Sequence, residues 1–428
     1  MPFPDKGVCL ANLLILSKDL PYPLDSGNTL RVYHPCRQLA KKHTCVLVTF
    51  GEPGRHVEEL ENQGIFKEIH LIRPPDGPRS FRRHLRWSNQ HFTKLAMPEF
   101  YAETVRFLEK QIRKHRSDVV IVFPDILTEF VESLTNVRKI ADNCDSTTLS
   151  YERYYAHQKK KMSTRRKLST WLTLQRYRNF ERKMADAHDR IVSISPADLD
   201  KLKKLNPASA HKIKLIPNGV HAELLAHAGS EPPIDNAIVF WGNLNFAPNH
   251  AAVQYFYHKV YQPYLSSQKI KWYIVGKNAG PAIQAMAAAD ENIIVTGFIE
   301  SLYDFAARIP IMVNPMQIGS GLKNKVLEAF ALHRLVISNA LGVEAIIGAQ
   351  PGTHYVRAEQ PIEFADAILN YMQKPLERKK IGTNARLLVE EKYTWDKIGQ
   401  DWNRLVEELT ATGLGSSAVS FEALRRRA

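Results

Sequence analysis

The sequence predicts an α/β protein made of two doubly wound domains that face each other across a cleft. Two observations lead to this prediction. In the second half of the chain, short and almost continuously apolar segments alternate with segments of helical periodicity, and the first half repeats the pattern. Such strands indicate parallel sheets that helices cover on both faces. With 428 residues, the chain is long enough to bury two cores.

The strands and helices are predicted in alternation along the chain. In the first half, strands are expected at 9–16, 45–50, 68–72, 118–123, 138–142, 190–195 and 212–217, and helices at 28–42, 100–116, 126–136 and 196–205. Residues 150–188 are expected to form one long or broken helix. In the second half, strands are expected at 237–242, 272–276, 293–298, 309–315 and 335–338, and helices at 250–265, 281–289, 302–308, 323–332 and 395–409.

The domain boundaries follow from these elements. Residues 1–225 are expected to form the first domain and residues 226–394 the second. The join should fall near 222–236, where Ala-His-Ala-Gly-Ser-Glu-Pro-Pro is typical of a linker. Residues 395–412 are expected to form a helix that packs back towards the first domain, and 413–428 a mobile tail.

The charge is unevenly distributed. The net charge is +14, but residues 1–225 carry 38 basic and 25 acidic groups, whereas the rest of the chain carries 20 and 19. The first half is therefore expected to meet something acidic, whether nucleic acid, anionic membrane or acidic substrate. The composition excludes collagen-like and wholly disordered chains. With four cysteines, no apolar run of 18 residues and no leader pattern, a cytoplasmic protein is expected.

The segment 314–331 carries the clearest functional signal. A strand is predicted to end there, and a loop with Gly319 and Gly321 leads into a helix whose first turn holds Lys323 and Lys325. The glycines let backbone N–H groups approach a ligand, and a helix N-terminus favours an anion such as phosphate. Glu328, one turn on, suits hydrogen bonds from sugar hydroxyls. The alternative is an ordinary helix start with solvated lysines.

This segment resembles the donor-binding motif of the retaining GT-B glycosyltransferases, the family that includes sucrose synthase and bacterial mannosyltransferases. In that family two glutamates flank seven residues, and the second typically binds the nucleotide ribose. Glu328 matches the second glutamate, whereas Ser320 occupies the position of the first. Residues 321–329 resemble a branch of bacterial polysaccharide-type sugar transferases that lacks the first glutamate and has Gly-x-x-Asn-Lys-Val-Leu-Glu-Ala.

Other segments extend the resemblance over most of the chain. Residues 20–28 resemble the glycine-bearing loop that closes over the donor and faces the acceptor. Residues 216–220, Ile-Pro-Asn-Gly-Val, resemble the turn that closes the first domain. Residues 240–249 resemble the first donor-domain strand and loop, although Asn243 stands where many relatives have arginine. Asp145 is the nearest match to a histidine that contacts the donor sugar in many relatives. Plain βα turns and helix caps remain the alternative for these segments.

The resemblance implies a GT-B fold with an acceptor-binding first domain and a nucleotide-sugar-binding second domain. The implied reaction moves a sugar from a nucleotide-diphosphate sugar to a glycan or lipid-linked acceptor with retention, in cell-surface polysaccharide or glycolipid synthesis. No cofactor and no metal are implied. The residues implied on the acceptor and reaction side are Asp145, Gly27 and Asn28. The implied donor-binding residues are Gly319, Ser320, Gly321, Leu322, Lys323, Asn324, Lys325, Glu328, Asn243, Gly276, Lys277 and Phe298.

Two basic patches interleave with large apolar side chains. One runs from Arg79 to Lys94, and the other, from Arg153 to Lys183, holds eleven basic residues. This mixture is typical of a surface that binds anionic lipid, so a peripheral position on the inner membrane leaflet is expected. A solvated charged face is the alternative. Nucleic acid is not expected, because no recognisable binding motif accompanies the charge.

Two other functions stay open at the level of sequence. The fold would also serve a nucleotide-sugar epimerase or hydrolase. A non-catalytic adaptor that binds membrane or nucleic acid would keep the basic surface without the chemistry.

Overall fold

The computed structural model describes residues 11–74, 92–226 and 232–411. The first part of the chain forms a parallel sheet of seven strands in the order β3-β2-β1-β4-β5-β6-β7. The strands are β1 (Asn12–Ser17), β2 (Thr44–Phe50), β3 (Glu68–Ile72), β4 (Val119–Phe123), β5 (Arg138–Cys144), β6 (Arg190–Ser193) and β7 (Ile213–Leu215). The α-helices described here are Gly27–Leu39, Arg55–Glu61, Phe92–Ala96, Pro98–His115, Thr147–Gln158, Thr164–Ala187, Pro196–Leu205 and Ala222–Ala226.

The second part forms a parallel sheet of six strands in the order β10-β9-β8-β11-β12-β13. Its strands are β8 (Ala237–Trp241), β9 (Lys271–Val275), β10 (Ile293–Gly297), β11 (Ile311–Asn314), β12 (Leu335–Ser338) and β13 (Val356–Arg357). The α-helices described here are Ala247–Phe256, Pro281–Ala289, Leu302–Ala307, Asn324–Ala331, Ala340–Val343, Pro361–Met372, Pro375–Lys392 and Trp395–Ala411. The predicted fold of two parallel α/β domains is confirmed.

Each sheet has a point where the strand order reverses, between β1 and β4 in the first and between β8 and β11 in the second. Ligands of doubly wound proteins bind beyond the carboxyl ends of the strands at such a point. Segments that follow those ends in the two sheets contact one another, as the loop after β11 contacts residues that follow β5 and β6. Gly27, which follows β1, also lies next to Asn324, which follows β11, so the two switch points border one cleft.

The last helix, Trp395–Ala411, packs against the helix Gly27–Leu39 of the first sheet. Trp395 and Trp402 are buried in the same apolar cluster as strands β1, β2 and β4. The approach is close, since a Cβ on Gly399 would lie 2.4 Å from Cβ of Gln38. The helix Trp395–Ala411 is thereby fixed to the first domain.

Two predicted helices differ from the structure, whereas the segment 150–188 is broken, which is one of the two forms predicted for it. In place of the helix predicted at 126–136 there is a short 3₁₀ helix, Asp125–Phe130, followed by turns until β5 begins at Arg138. The helix predicted at 250–265 is α-helical to Phe256 and then widens into a π-helix, Tyr257–Leu265, around Pro263, whose ring lacks an N–H donor. The segment 150–188 is broken into two helices at residues 159–163.

Several elements were not predicted. They include strand β13 and the helices Arg55–Glu61, Phe92–Ala96, Ala222–Ala226, Ala340–Val343, Pro361–Met372 and Pro375–Lys392. Ala222–Ala226 lies at the start of the predicted linker 222–236. Within the described residues, no helix combines the length and apolarity needed to cross a membrane.

Candidate functional site

The loop between β11 and the helix Asn324–Ala331 crosses the cleft and is held by two carboxylates of the first domain. Ser320 Oγ donates to Oδ2 of Asp145 at 3.1 Å, and the backbone N–H of Gly321 donates to Oδ2 of Asp198 at 2.9 Å. Gly321 has φ of +70°, and a Cβ there would lie 3.0 Å from Cβ of Asp145. Glycine is therefore needed both for the backbone conformation and for the approach.

An arginine of the first domain holds the same loop from its other side. Arg153 binds Glu344 with two hydrogen bonds of 2.6 and 2.8 Å and donates to the Gly319 carbonyl at 2.8 Å. The side chains of Arg153 and Glu344 are 26% and 21% exposed. A bidentate ion pair of this kind fixes the relative orientation of the two side chains as well as the distance between them. The loop thus has charged partners at Gly319, Ser320 and Gly321 in succession.

Lys323 folds back onto its own loop. Its Nζ donates to the carbonyls of Ser320 at 2.7 Å and Gly321 at 2.9 Å. Burial lowers its pKa, while the nearby Glu344 and Asp145 act in the opposite direction. The ammonium group is therefore engaged in shaping the loop.

Lys325 lies at the carboxyl end of β8. Its Nζ donates to Oδ1 of Asn249 at 2.6 Å and lies 4.0 Å from the ring centre of Phe240. A Cβ on Gly242 would lie 3.1 Å from the same Nζ. Burial lowers the pKa of Lys325 to about 7, although Glu328 favours its charged form. Neither this lysine nor Lys323 is a freely solvated side chain.

Glu328 lies one turn further along the helix. Its Oε2 accepts a hydrogen bond of 2.8 Å from Nε1 of Trp241. Burial raises the pKa of Glu328, while hydrogen bonds from Trp241 and Tyr303 and the charge of Lys325 act to lower it. The carboxyl group is held by an indole and a phenol, so its orientation is fixed.

Asn324 joins the second domain to the predicted Gly27 loop. A Cβ on Gly27 would lie 3.3 Å from Nδ2 of Asn324, and Oδ1 of Asn324 accepts from Asn218 at 3.0 Å. Asn218 in turn accepts from Arg31 at 3.2 Å. The structure therefore brings Gly27 next to the start of the helix Asn324–Ala331.

Arg31 is the buried centre of this network. It makes two hydrogen bonds with Asp142, of 2.9 and 2.8 Å, and a third with the Pro217 carbonyl at 3.0 Å. The side chains of Arg31 and Asp142 are 3% and 1% exposed. The guanidinium also lies 5.4 Å from the ring centre of Trp402 on the last helix. Removing either charge would leave the other buried without a partner.

Gly276 and Lys277 lie at the carboxyl end of β9, next to the end of β8. Gly276 has φ of +149°, and a Cβ there would lie 1.8 Å from the Gly242 carbonyl oxygen, so the two glycine backbones are in direct contact. Lys277 pairs with Asp25 across the cleft at 2.9 Å, and its Nζ lies 4.4 Å from the ring centre of Phe298. Phe298 is 60% exposed.

Two further predicted donor-binding residues have structural partners. The side chain of Asn243 accepts from the N–H of Asn245 at 3.1 Å and thereby stabilises the turn after β8. Leu322 is buried in an apolar cluster of the second domain. Its side chain anchors the loop rather than facing the cleft.

A cavity of about 470 Å³ opens on the first-domain side. Asn28 lines it, together with Asp19, Asp125 and Tyr177. Asp125 accepts a hydrogen bond of 2.6 Å from Asn143, and burial raises the pKa of Asp125 well above its usual value. Burial likewise raises the pKa of Asp145. The cavity therefore offers polar groups such as Asn28 and Asp125 on walls that are mostly apolar, which suits a ligand that carries hydroxyl groups.

Several residues of the cleft were given no individual role from the sequence: Arg153, Glu344, Asp198, Asn249 and Trp241. Asp198 lies in the pattern Ser195-Pro196-Ala197-Asp198, which is typical of a helix start, and its N–H does bond to Ser195 Oγ at 3.1 Å. The same carboxylate also reaches Gly321 and the N–H of Ser146. Burial raises its pKa to about 6. The pattern at residues 195–198 predicts only the helix start, and it does not indicate that Asp198 also contacts Ser146 and Gly321.

Comparisons with known proteins bear on the family of the second domain and on the fold. Residues 235–374 match the family model described as Glycosyl transferases group 1. A Klebsiella pneumoniae protein, described as an uncharacterized 44.6 kDa protein in the cps region, is 30% identical over 173 residues, which are 38% of this chain and 43% of that protein. The match thus spans less than half of that relative.

Solved structures resemble nearly the whole chain. The Anabaena protein HepE, solved in complex with UDP and glucose, has a TM-score of 0.64 at 13% identity over 94% of this chain and 100% of that one. Sucrose-phosphate synthase from Thermosynechococcus elongatus has a TM-score of 0.67 at 15% identity with the same coverage. The chain therefore has the fold of the GT-B glycosyltransferases, and its residues 235–374 match the glycosyl transferases group 1 family.

Proposed function

We propose that this protein is a retaining, metal-independent glycosyltransferase that moves a sugar from a nucleotide-diphosphate sugar to a glycan or lipid-linked acceptor. The observation that carries the proposal is the pair Lys325 and Glu328. They lie one turn apart at the start of the helix Asn324–Ala331, at the carboxyl edge of the second sheet and opposite Gly27. A helix start with a cation suits a diphosphate, and an oriented carboxylate suits ribose hydroxyls.

The comparisons support this choice of substrates. HepE was solved with UDP and glucose, and sucrose-phosphate synthase is named for a sugar-transfer product. The Klebsiella relative is described by its place in a cps region. For this chain we accordingly propose a role in cell-surface polysaccharide or glycolipid synthesis.

The proposed chemistry divides between the two domains. As the bond between the sugar and the diphosphate breaks, the leaving group gains negative charge, which Lys325 and the helix N-terminus would stabilise. Lys323, whose Nζ holds loop carbonyls, would act by keeping the backbone of residues 319–324 in place. Asp145 and the Gly27 loop would face the reacting sugar, and the acceptor hydroxyl would come from the cavity beside Asn28 and Asp125.

Donor binding is expected to depend on the two carrying residues. A thermal-shift screen of nucleotide sugars selects the donor, because specific binding raises the melting temperature. In calorimetry with that donor, Lys325→Ala and Glu328→Ala should each weaken binding by about tenfold or more, as the loss of a charge-assisted hydrogen bond predicts. Lys380→Ala, an exposed lysine of the second domain, is the control.

Unchanged affinity in both variants would refute the site. With an acceptor added, the anomeric coupling of the product in NMR reports retention. Rapid turnover of the donor alone would instead favour an epimerase or hydrolase.

Donor binding is also expected to take up a proton. The pKa of Lys325 is about 7 in the free protein, so above pH 7 the amine is increasingly neutral, and an anionic diphosphate would restore its charge. Affinity should therefore fall as the pH rises through 7 to 9. At pH 8, calorimetry in buffers of different ionisation enthalpy should report an uptake approaching one proton. Lys325→Arg should abolish that uptake, and an equal uptake in this variant would contradict the assignment.

We also propose that the helix Thr164–Ala187 docks on an anionic membrane, on its cytoplasmic side. Leu168, Trp171 and Leu172 are 58%, 47% and 44% exposed, and their spacing places them on one helix face. Basic residues with exposed side chains lie on this helix and in the segment before it: Lys159, Lys160, Lys161, Arg165, Arg166, Arg176, Arg182 and Lys183. The other patch runs from Arg79 to Lys94. Its residues 79–91 lie outside the described residues, and Lys94 is described.

Membrane binding should need both charge and the apolar face. The protein is expected to co-sediment with vesicles that contain anionic lipid and much less with neutral vesicles, and salt should weaken the binding. Trp171→Ser with Leu172→Ser should reduce it. Leu376→Ser is the matched control, because Leu376 is 82% exposed on the second domain. Equal binding to both kinds of vesicle would contradict the electrostatic account.

A further inference from the structure

A cluster of three metal-binding side chains lies outside the cleft, at the edge of the first sheet. Glu68 and His70 are on the edge strand β3, two positions apart and hence on one face of it. His115 is the last residue of the helix Pro98–His115, which packs beside this strand. Their ligand atoms all lie within 4.8 Å of one another.

The two imidazoles face the carboxylate of Glu68 at ion-pair distance. Nε2 of His70 lies 3.2 Å and Nε2 of His115 lies 3.5 Å from Oε2 of Glu68. Both nitrogens are buried, and Nε2 of His115 forms no hydrogen bond. The His115 side chain is 5% exposed. A buried ring nitrogen aimed at a carboxylate and a second imidazole is an unsatisfied polar group that needs an explanation.

We propose that Glu68, His70 and His115 bind a divalent zinc-type ion. Two imidazole nitrogens and a carboxylate oxygen are ligands that Zn²⁺ prefers. Bonds of about 2.0–2.2 Å in a tetrahedron place neighbouring ligand atoms roughly 3.3–3.5 Å apart. The two distances to Oε2 of Glu68 are close to that range. The fourth position is left to water.

Lys114 is the competitor for this site. Its Nζ lies 2.6 Å from Oε2 of Glu68, and its side chain is 50% exposed. Metal binding therefore requires the ammonium group to move into solvent, which its exposed stem permits. The ion would then join an edge strand to the neighbouring helix and would stabilise this part of the first domain by mass action. This site is independent of the sugar-transfer proposal.

Cobalt and zinc titrations of the full chain test the site. The wild type is expected to bind one Co²⁺ with the visible absorption of a tetrahedral complex and to keep one equivalent of Zn²⁺ after dialysis. His70→Gln and His115→Gln should each weaken binding by more than about tenfold, since even outer contacts of a metal ligand carry that much affinity. Lys114→Met should strengthen binding, because it removes the competing cation.

The control is His56→Gln, because His56 forms an exposed pair with Glu59 at 3.0 Å that lacks a second imidazole. Its zinc content should equal that of the wild type. Equal content in wild type, His70→Gln and His115→Gln would overturn the proposal, as would weaker binding in Lys114→Met. If His115→Gln fails to fold, His70→Gln decides, since its side chain is 22% exposed.

Discussion

The arrangement of the cleft depends on how the first domain holds the loop 319–321. Parallel strands direct the carboxyl ends of both sheets into the cleft, so backbone groups there need polar partners. Asp198 accepts from the Gly321 N–H, Asp145 accepts from Ser320, and Arg153 donates to the Gly319 carbonyl. The loop ends in the helix Asn324–Ala331. Its position therefore sets where that helix begins.

The two lysines at the end of this loop, Lys323 and Lys325, have different surroundings and therefore different roles. Lys323 lies near Glu344, Asp145 and Asp198, and its Nζ donates hydrogen bonds to two carbonyl groups of the loop. Lys325 points to the other side of the helix start, where burial rather than a carboxylate partner dominates its pKa. A lysine with a pKa of about 7 is well suited to an anionic ligand, because its charged form gains a partner of opposite charge when the ligand binds.

The sequence predicted the alternation of strands and helices well, because apolar periodicity is a local signal. It also singled out residues 314–331 and the Gly27 loop, which the structure brings together through Asn324. It did not predict the roles of Arg153 or Asp198, whose partners lie 166 and 123 positions away. Such pairs exist only once both sheets are formed. Lys323 was expected to bind diphosphate. In the structure its Nζ donates to carbonyl groups of its own loop, and this contact depends on the loop conformation, which the sequence pattern does not reveal.

Hydrogen exchange with and without the selected nucleotide sugar tests whether the donor binds at the start of the helix Asn324–Ala331, because it locates the ligand along the chain. A donor bound there should slow exchange at residues 319–328 and 242–245 in the second domain, together with the Gly27 loop in the first. The control Lys380→Ala should show the same pattern of protection as the wild type. Lys325→Ala should show no protection at the same donor concentration. Protection confined to the first domain, or none at 319–328, would contradict the account.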